Sequence, residues 1–560
     1  MIDREAVEAY DRFWQCVPPA CLPVKEIRAG LLGRARIIVT SRNERPAGES
    51  YDVVIAGGGP WGILLGSLLA GRGHSTLVLE RSAQLRCGAT WNVSRPEFDD
   101  LKATGALPEA VWDGLVTGEF TEGVFRLYDS SAAPSRQREY HFDEILNLSL
   151  DEDRFLASLA ATPGLAVRTG CPARLAAVTR TSACVEYAAV HGPRTVAARL
   201  FIDATGWTSP LGRLMTRGLE PESVYNMLGV RTNVRLPRIV SPVTGRPMGL
   251  ICATFENEIP SRAGLVQPIL ERFTDCVPGR CDGGDLIYYF TRTARPAPLA
   301  PLIDDMAARI PQVLDGFRED QVEKTYFGHG PAFYTSGPLA RFSRRTSVGD
   351  RVLLAGASAL HYSGLTGCAF GPLARNASAL AGVIDLALRR NRLSFRHLCR
   401  IDIDPRERAS QAIEELFGGA MELAPGETPG TVNRDWIGFA EAGEGLDPRL
   451  KNEAFRDKIR LQTLNRLVGI CAGKPDVIAS VLRNNRGHLG LVVWTFLSAY
   501  GTLLYHEIRL LFGRRNRKYA VAGGRAVAAL PVFAANVGRF YAAGRKAKYR
   551  VAGGKEGGNS

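Results

Sequence analysis

The chain has eleven cysteines but no Cys-x-x-Cys pair and no histidine cluster beside any of them, so neither a zinc site nor a disulfide framework is indicated. Its first 48 residues mix charges with short apolar runs and lack a continuous apolar core segment. They do not read as a secretory signal, and the expected location is cytoplasmic and reducing. The longest apolar run, 489–505, has 17 residues, which is marginal for spanning ~30 Å of hydrocarbon. Acidic residues are also short, at 57 against 70 Lys and Arg, for a formal charge of +13. Most of that imbalance is local: over 508–560 twelve basic residues face Glu556 alone, a net +11.

A basic tail suits nucleic acid or anionic lipid, because both present dense negative charge. No nucleic-acid module is recognisable, and the apolar run precedes the tail. These features point to an anionic membrane surface contacted through 489–560, and to a peripheral membrane protein. A buried helix followed by a solvated basic tail is the equal alternative.

Hydrophobic residues make up 45% of the 560 and charged residues 23%, the balance of a globular chain with a sizeable core. The length predicts two or three interleaved domains. Residues 1–50 read as a helical preface. A short β-branched run at 51–56 reads as a strand, 63–69 as an apolar helix and 75–79 as a second strand, which together make one βαβ unit. Alternating patterns over 171–203 and 223–290 read as antiparallel, substrate-facing strands. Residues 352–388 return to strand, glycine turn and helix, and 405–560 is helical in pattern.

The chemistry begins at Gly57-Gly58-Gly59-Pro60-Trp61-Gly62, a G-x-G-x-x-G that follows a strand and opens a helix. Gly57 permits the tight turn, Gly59 lets backbone approach a pyrophosphate, and Gly62 allows close helix packing. The helix N-terminus supplies N–H groups for phosphate. Glu80 ends the second strand, where a carboxylate suits a ribose 2′-hydroxyl. This much does not separate FAD from NAD. The segment 201–210, with Asp203, Gly206 and Ser209, resembles the "strand, D-A-x-G, S" signature of FAD-dependent hydroxylase-like proteins. The late turn at 352–371 resembles the segment that in those proteins passes the ribityl chain and flavin ring. Three such motifs in order select FAD, with NAD(P)H as reductant where the flavin works reduced.

At Trp91-Asn92-Val93-Ser94-Arg95 the sequence looks like the W-N-I-S-R element of the CruA/CruP-type lycopene cyclases. Residues 145–148, followed by Arg154 and Leu156, are similar to that family's I-L-N-L segment, and 356–375 to its glycine-rich stretch. The resemblance runs from about residue 51 to 388. It implies an α/β fold with a Rossmann-type FAD-binding domain (51–222 and 330–400) and an antiparallel-sheet substrate domain (223–329); the remainder, beyond the resemblance, reads from its own pattern as a helical, basic C-terminal region (401–560). It also implies acid-initiated cyclisation of a large apolar isoprenoid or polyene: a carboxyl group protonates an alkene, the carbocation closes a ring, and reduced flavin stabilises positive charge.

A general acid of this kind needs a carboxyl kept protonated by apolar surroundings. Glu271 falls at the family's W-E-x-F element, and Glu256 and Glu258 lie on the same predicted sheet; a solvated carboxylate is the competing explanation for each. Arg95, Arg154, Asp203, Gly206 and Gly356 are cofactor contacts carried over by resemblance. His361 and Tyr362 stand in the turn expected near the flavin ring, as proton donors or as satisfied turn residues. Three positions depart from the family: Ala357 replaces an aspartate, Leu270 a tryptophan and Thr274 a proline. Two rivals therefore stay open. One is an FAD-dependent monooxygenase or halogenase of pigment biosynthesis, although no G-W-x-W-x-I-P string supports a halogenase. The other is a non-catalytic carotenoid-binding protein. Oligomeric state is not legible.

Overall fold

A computed structural model describes residues 1–16, 38–39, 48–86, 91–129, 136–190, 192–215, 223–333, 346–363, 369–417, 437–484, 489–513 and 530–553, apart from short stretches within 223–333, 346–363 and 437–484. Its first sheet is built on the β-branched strand Ser50–Ala56, whose last four residues are buried. Thr76–Leu79 pairs parallel to it, then Leu165–Arg168 parallel to that. On its other edge lies the long strand Gly192–Asp203, also parallel. The apolar helix Pro60–Ala70 links the first two strands and is buried along nearly its whole length. This parallel, helix-crossed arrangement is that of a Rossmann-type nucleotide-binding domain.

The late strand Val352–Leu354 pairs parallel with Phe201, Ile202 and Asp203, so a segment some 150 residues downstream completes the sheet. The helix Phe370–Arg389 then packs on Pro60–Ala70. Strands Ala173–Val178, Ala183–Ala189 and the first half of Gly192–Asp203 form an antiparallel meander on the same sheet. The alternation over 171–203 therefore belongs to the nucleotide-binding unit and not to a substrate sheet.

The second sheet has seven strands in the order Val322–Phe333, Ser223–Thr232, Asp285–Thr293, Ile269–Thr274, Leu250–Thr254, Glu122–Asp129, Arg136–Asp143. All its pairings are antiparallel except that of Leu250–Thr254 with Glu122–Asp129. The expected substrate sheet over 223–329 is present, and it also recruits the hairpin 122–143 from within the 51–222 range. One face, through Leu228, Val230, Ile287 and Tyr289, packs with Ala300–Val313 and with Ile2 and Val7 of the N-terminal segment. The preface 1–50 is thus divided: its first helix, Arg4–Cys16, packs on the second unit, and Ile38–Val39 pairs with the first sheet.

Helices Pro405–Phe417, Leu461–Ala472, Pro475–Asn484, Leu489–Gly513 and Leu530–Gly553 form a bundle with its own core. The basic cluster at 514–518 and Glu258 lie outside the described residues.

Candidate functional site

Three turns that are far apart in sequence meet at the C-terminal ends of the parallel strands. Gly57 has φ +104°, and a Cβ there would lie 2.4 Å from the Ala204 carbonyl oxygen; at Gly62 it would lie 1.9 Å from the Gly57 oxygen. These glycines are required by the protein's own backbone. Gly59 differs. Its φ of −69° and ψ of −179° are open to any residue, and a Cβ there would have no neighbour within 4 Å among the described residues. It caps the helix Pro60–Ala70 without a side-chain partner, and the N–H groups of a helix's first turn have no intrahelical acceptor.

Glu80 closes the edge of this turn. Its carboxylate accepts the Gly58 N–H at 2.6 Å and the Ser82 N–H at 2.8 Å. Beyond Gly59, the Trp61 side chain is buried, and its indole N–H has no acceptor among the described residues. The same ring stands where a Cβ at Gly356 would lie, 2.9 Å from Trp61 Cδ1, and Gly356 has φ +66°. Gly356 thus allows the third turn to close on the first.

Asp203 is the knot between the turns. Its Oδ1 accepts the Thr205 N–H at 2.9 Å and the Thr205 hydroxyl at 2.7 Å, and its Oδ2 accepts the Ser209 hydroxyl at 2.6 Å. Burial pushes this carboxyl above the usual range, against the pull of those donors. Its carbonyl accepts the Ser358 hydroxyl at 2.6 Å and the Ala355 N–H at 2.9 Å. Gly206, at φ +92°, reverses the chain between Asp203 and Ser209.

His361 follows the third turn. Its Nδ1 accepts the Gly356 N–H at 3.3 Å, which leaves Nε2 to donate to Asp402, also at 3.3 Å. The ring lies 5.1 Å from that of Trp61. Burial alone would raise Asp402, but Arg408 and His361 outweigh it and hold the carboxyl well below the carboxylate range. Arg408 also donates to the carbonyls of Ala359 and Leu360 at 3.2 Å each, and Ser363 donates to Glu414 at 2.5 Å. The helix Pro405–Phe417 therefore clamps the third turn through Arg408 and Glu414. With both nitrogens engaged, His361 is a positioning group for this turn, not a free proton donor.

The other expected residues fall elsewhere. Arg95 pairs with Glu119, Nε to Oε1 at 3.2 Å. Arg154 donates to the Gly114 carbonyl at 2.8 Å and so caps the short helix before it. The family-like strings around them do meet, in the pairing of Trp91–Val93 with Leu148–Leu150. Glu256 is exposed after the strand Leu250–Thr254 and lacks the apolar enclosure that a carboxylic proton donor needs. The backbone of Glu271 lies opposite Cys252 and Tyr288 in the second sheet; its side chain is outside the described residues.

Sequence reading missed two buried clusters. Arg375 joins Glu97 and Glu407, all at most 4% exposed, and pins three helices together. Asp402 and Arg408 hold His361 from beyond the end of the family-like region. The one available signal for either was the density of charge in 402–408, which reads equally well as a solvated helix start. Arg292 is a third case: it is buried on the second sheet with its guanidinium 5.2 Å from the Tyr225 ring, and burial lowers its pKa.

No protein-family model matches this sequence, and no curated protein matches it. Among solved structures, the chain is similar to a geranylgeranyl bacteriochlorophyll reductase-like protein from Thermoplasma acidophilum, with 17% identity over 78% of this chain and 99% of that one and a TM-score of 0.48. It is also similar to p-nitrophenol 4-monooxygenase PnpA from Pseudomonas putida (15%, 73% and 98%, 0.46) and to halogenase PltM in complex with phloroglucinol and FAD (15%, 87% and 96%, 0.48). At such scores the likeness adds no weight, and the site stands on the geometry above.

Proposed function

We propose that the chain is an FAD-dependent oxidoreductase of the hydroxylase-like type that acts on a large apolar substrate. The observation that carries this is Gly59: it is a glycine whose backbone any residue could adopt and whose missing side chain would meet nothing within 4 Å among the described residues. The site fits a dinucleotide. The diphosphate belongs on the first turn of Pro60–Ala70, the adenosine ribose beside Glu80, and the ring half beside the turns of Asp203 and Gly356. The indole N–H of Trp61 is a buried donor suited to an anionic or carbonyl acceptor.

When bound, FAD supplies the electron transfer that side chains cannot. The chain's own residues hold and shield it. Helix N-terminal amides oppose the diphosphate charge, and Asp402 and Arg408 fix the His361 tautomer and with it the Gly356 turn. The second sheet offers half-buried Tyr225, Met227, Phe290 and Phe125 on the face away from its helix-packed core. That composition favours apolar or aromatic substrates.

The cyclase reading is the second one, and the register of Glu271 opposite buried Tyr288 is what supports it. The two readings separate on stoichiometry: oxygenation of the substrate consumes NAD(P)H and O2 together, one oxygen atom entering the product and the other leaving as water, whereas cyclisation leaves no net consumption. The test of the main reading is the absorbance spectrum of purified protein, with identification of the released cofactor. Bound FAD is expected. Protein that carries a polyene but no flavin, and cannot be reconstituted with FAD, overturns it in favour of a pigment-binding role.

A further inference from the structure

The helix Leu489–Gly513 is apolar on two faces for two reasons. Leu489, Val492, Thr495, Phe496, Ala499, Tyr500 and Leu503 are buried, with Phe496 against Phe540 and Tyr500 stacked on Phe533 of Leu530–Gly553. The opposite face, Gly490, Trp494, Leu497, Gly501 and Tyr505, recurs every three or four residues and is exposed. Trp494 is 56% exposed, Leu497 45% and Tyr505 66%. The neighbouring helix exposes Ala534, Ala535, Gly538 and Tyr541. Among the described residues ten large hydrophobics are exposed; every aromatic one, Trp494, Tyr505 and Tyr541, is on these two helices.

No charged residue occurs over 489–505, and the chain then carries a net +11 over 508–560. Trp and Tyr favour the boundary between water and hydrocarbon, and basic residues beside them favour anionic headgroups. The inner face is committed to the bundle core, so lying in the plane of a bilayer suits this helix and crossing one does not.

We propose that the outer faces of Leu489–Gly513 and Leu530–Gly553 dock on the surface of an anionic lipid bilayer. The occupant follows from the placement of the aromatics together with the net positive charge that the sequence carries after them, and docking stands whether or not the flavin reading does. Substitution is the informative perturbation. Deleting 489–560 would also remove Val492, Phe496, Phe533 and Phe540 from the bundle core.

The test is flotation of the full chain with phosphatidylcholine vesicles, with and without phosphatidylserine, at low and high salt. The protein should float with the anionic vesicles and be released by salt. The double variant Trp494→Glu, Leu497→Glu should weaken binding by at least about tenfold, with its melting temperature and cofactor content unchanged. Val383→Glu, Leu386→Glu, which alters exposed apolar residues on another helix, should float like the wild type. Failure of the wild type to bind anionic vesicles, or unchanged binding by the stripe variant, overturns the proposal. So does a wild-type dimer that the stripe variant splits and that shows no vesicle binding, since the face would then belong to a second copy.

Discussion

Gly59 allows nucleotide binding to be separated from folding. In Gly59→Ala the new methyl group enters open space at an allowed backbone conformation. Lower chain entropy in the unfolded state stabilises by about 0.4–1 kcal/mol, and the weaker helix cap costs a comparable amount. The cofactor-free protein should therefore melt within about 1 kcal/mol of wild type. Gly59→Val adds bulk where a diphosphate would come. If it displaces two charge-assisted amide bonds worth about 1.5–3 kcal/mol each, FAD affinity falls by about 10²–10⁴-fold. Gly57→Ala and Gly62→Ala should behave differently, because their methyl groups meet backbone at 2.4 and 1.9 Å. Both should destabilise the cofactor-free protein by about 1–3 kcal/mol or more and so lower its melting temperature. The assay pairs thermal melts of stripped protein with FAD titration by flavin fluorescence. A folded Gly59→Val protein that binds FAD as tightly as wild type would refute the reasoning, because the glycine would then have no ligand to explain it.

Other outcomes follow from the buried charges. Asp402→Asn should cost about 2–4 kcal/mol by leaving Arg408 without its carboxylate. Because the folded state depresses Asp402, its contribution is complete above about pH 4, the unfolded value, and is lost as pH falls through the folded one. The variant should show a flatter acid limb in a pH series of melts. Arg375→Met strands Glu97 and Glu407 and should cost about 3–5 kcal/mol at neutral pH. Burial already raises Glu407, so this loss should shrink as pH is lowered and the carboxyl takes up a proton; a pH-independent loss would contradict the triad's electrostatic role. Glu256→Gln should leave turnover unchanged because the side chain is solvated. Glu271→Gln is the test of the cyclase reading: retention of a redox-neutral cyclisation in this variant would remove Glu271 as its acid.

The βαβ unit was legible because its period, glycines and acidic strand end are all local: the expected strand and helix at 51–56 and 63–69 are observed as Ser50–Ala56 and Pro60–Ala70. The late strand was legible as a strand, but its place beside Asp203 is a long-range pairing that no local pattern encodes. The alternation over 171–203 misled because a half-buried meander appended to a parallel sheet carries the same period of two as a substrate sheet. The hairpin 122–143 was hidden for a related reason, since its partner Leu250–Thr254 lies more than a hundred residues away. Within the site, the glycines were readable because they recur at the motif's spacing, and Gly57, Gly62, Gly206 and Gly356 each answer a backbone need, which Gly59 does not. Arg375, Asp402 and Arg408 were not, because a charged residue bound for a buried pair looks in sequence like one bound for water. The apolar run 489–505 was seen, but which of its faces meets protein depended on the partner helix Leu530–Gly553.

The strand Val352–Leu354 has a consequence for how the protein is made. The cradle draws on Gly57, on Asp203 and on Gly356, and the last of these is held by Arg408. A nascent chain that has emerged only through its first 350 residues owns the glycine turn but lacks the piece that seats it. On the proposed reading, capture of FAD would wait until nearly three quarters of the polypeptide has left the ribosome, and the outer edge of Phe201–Asp203 stays unpaired until Val352–Leu354 has emerged.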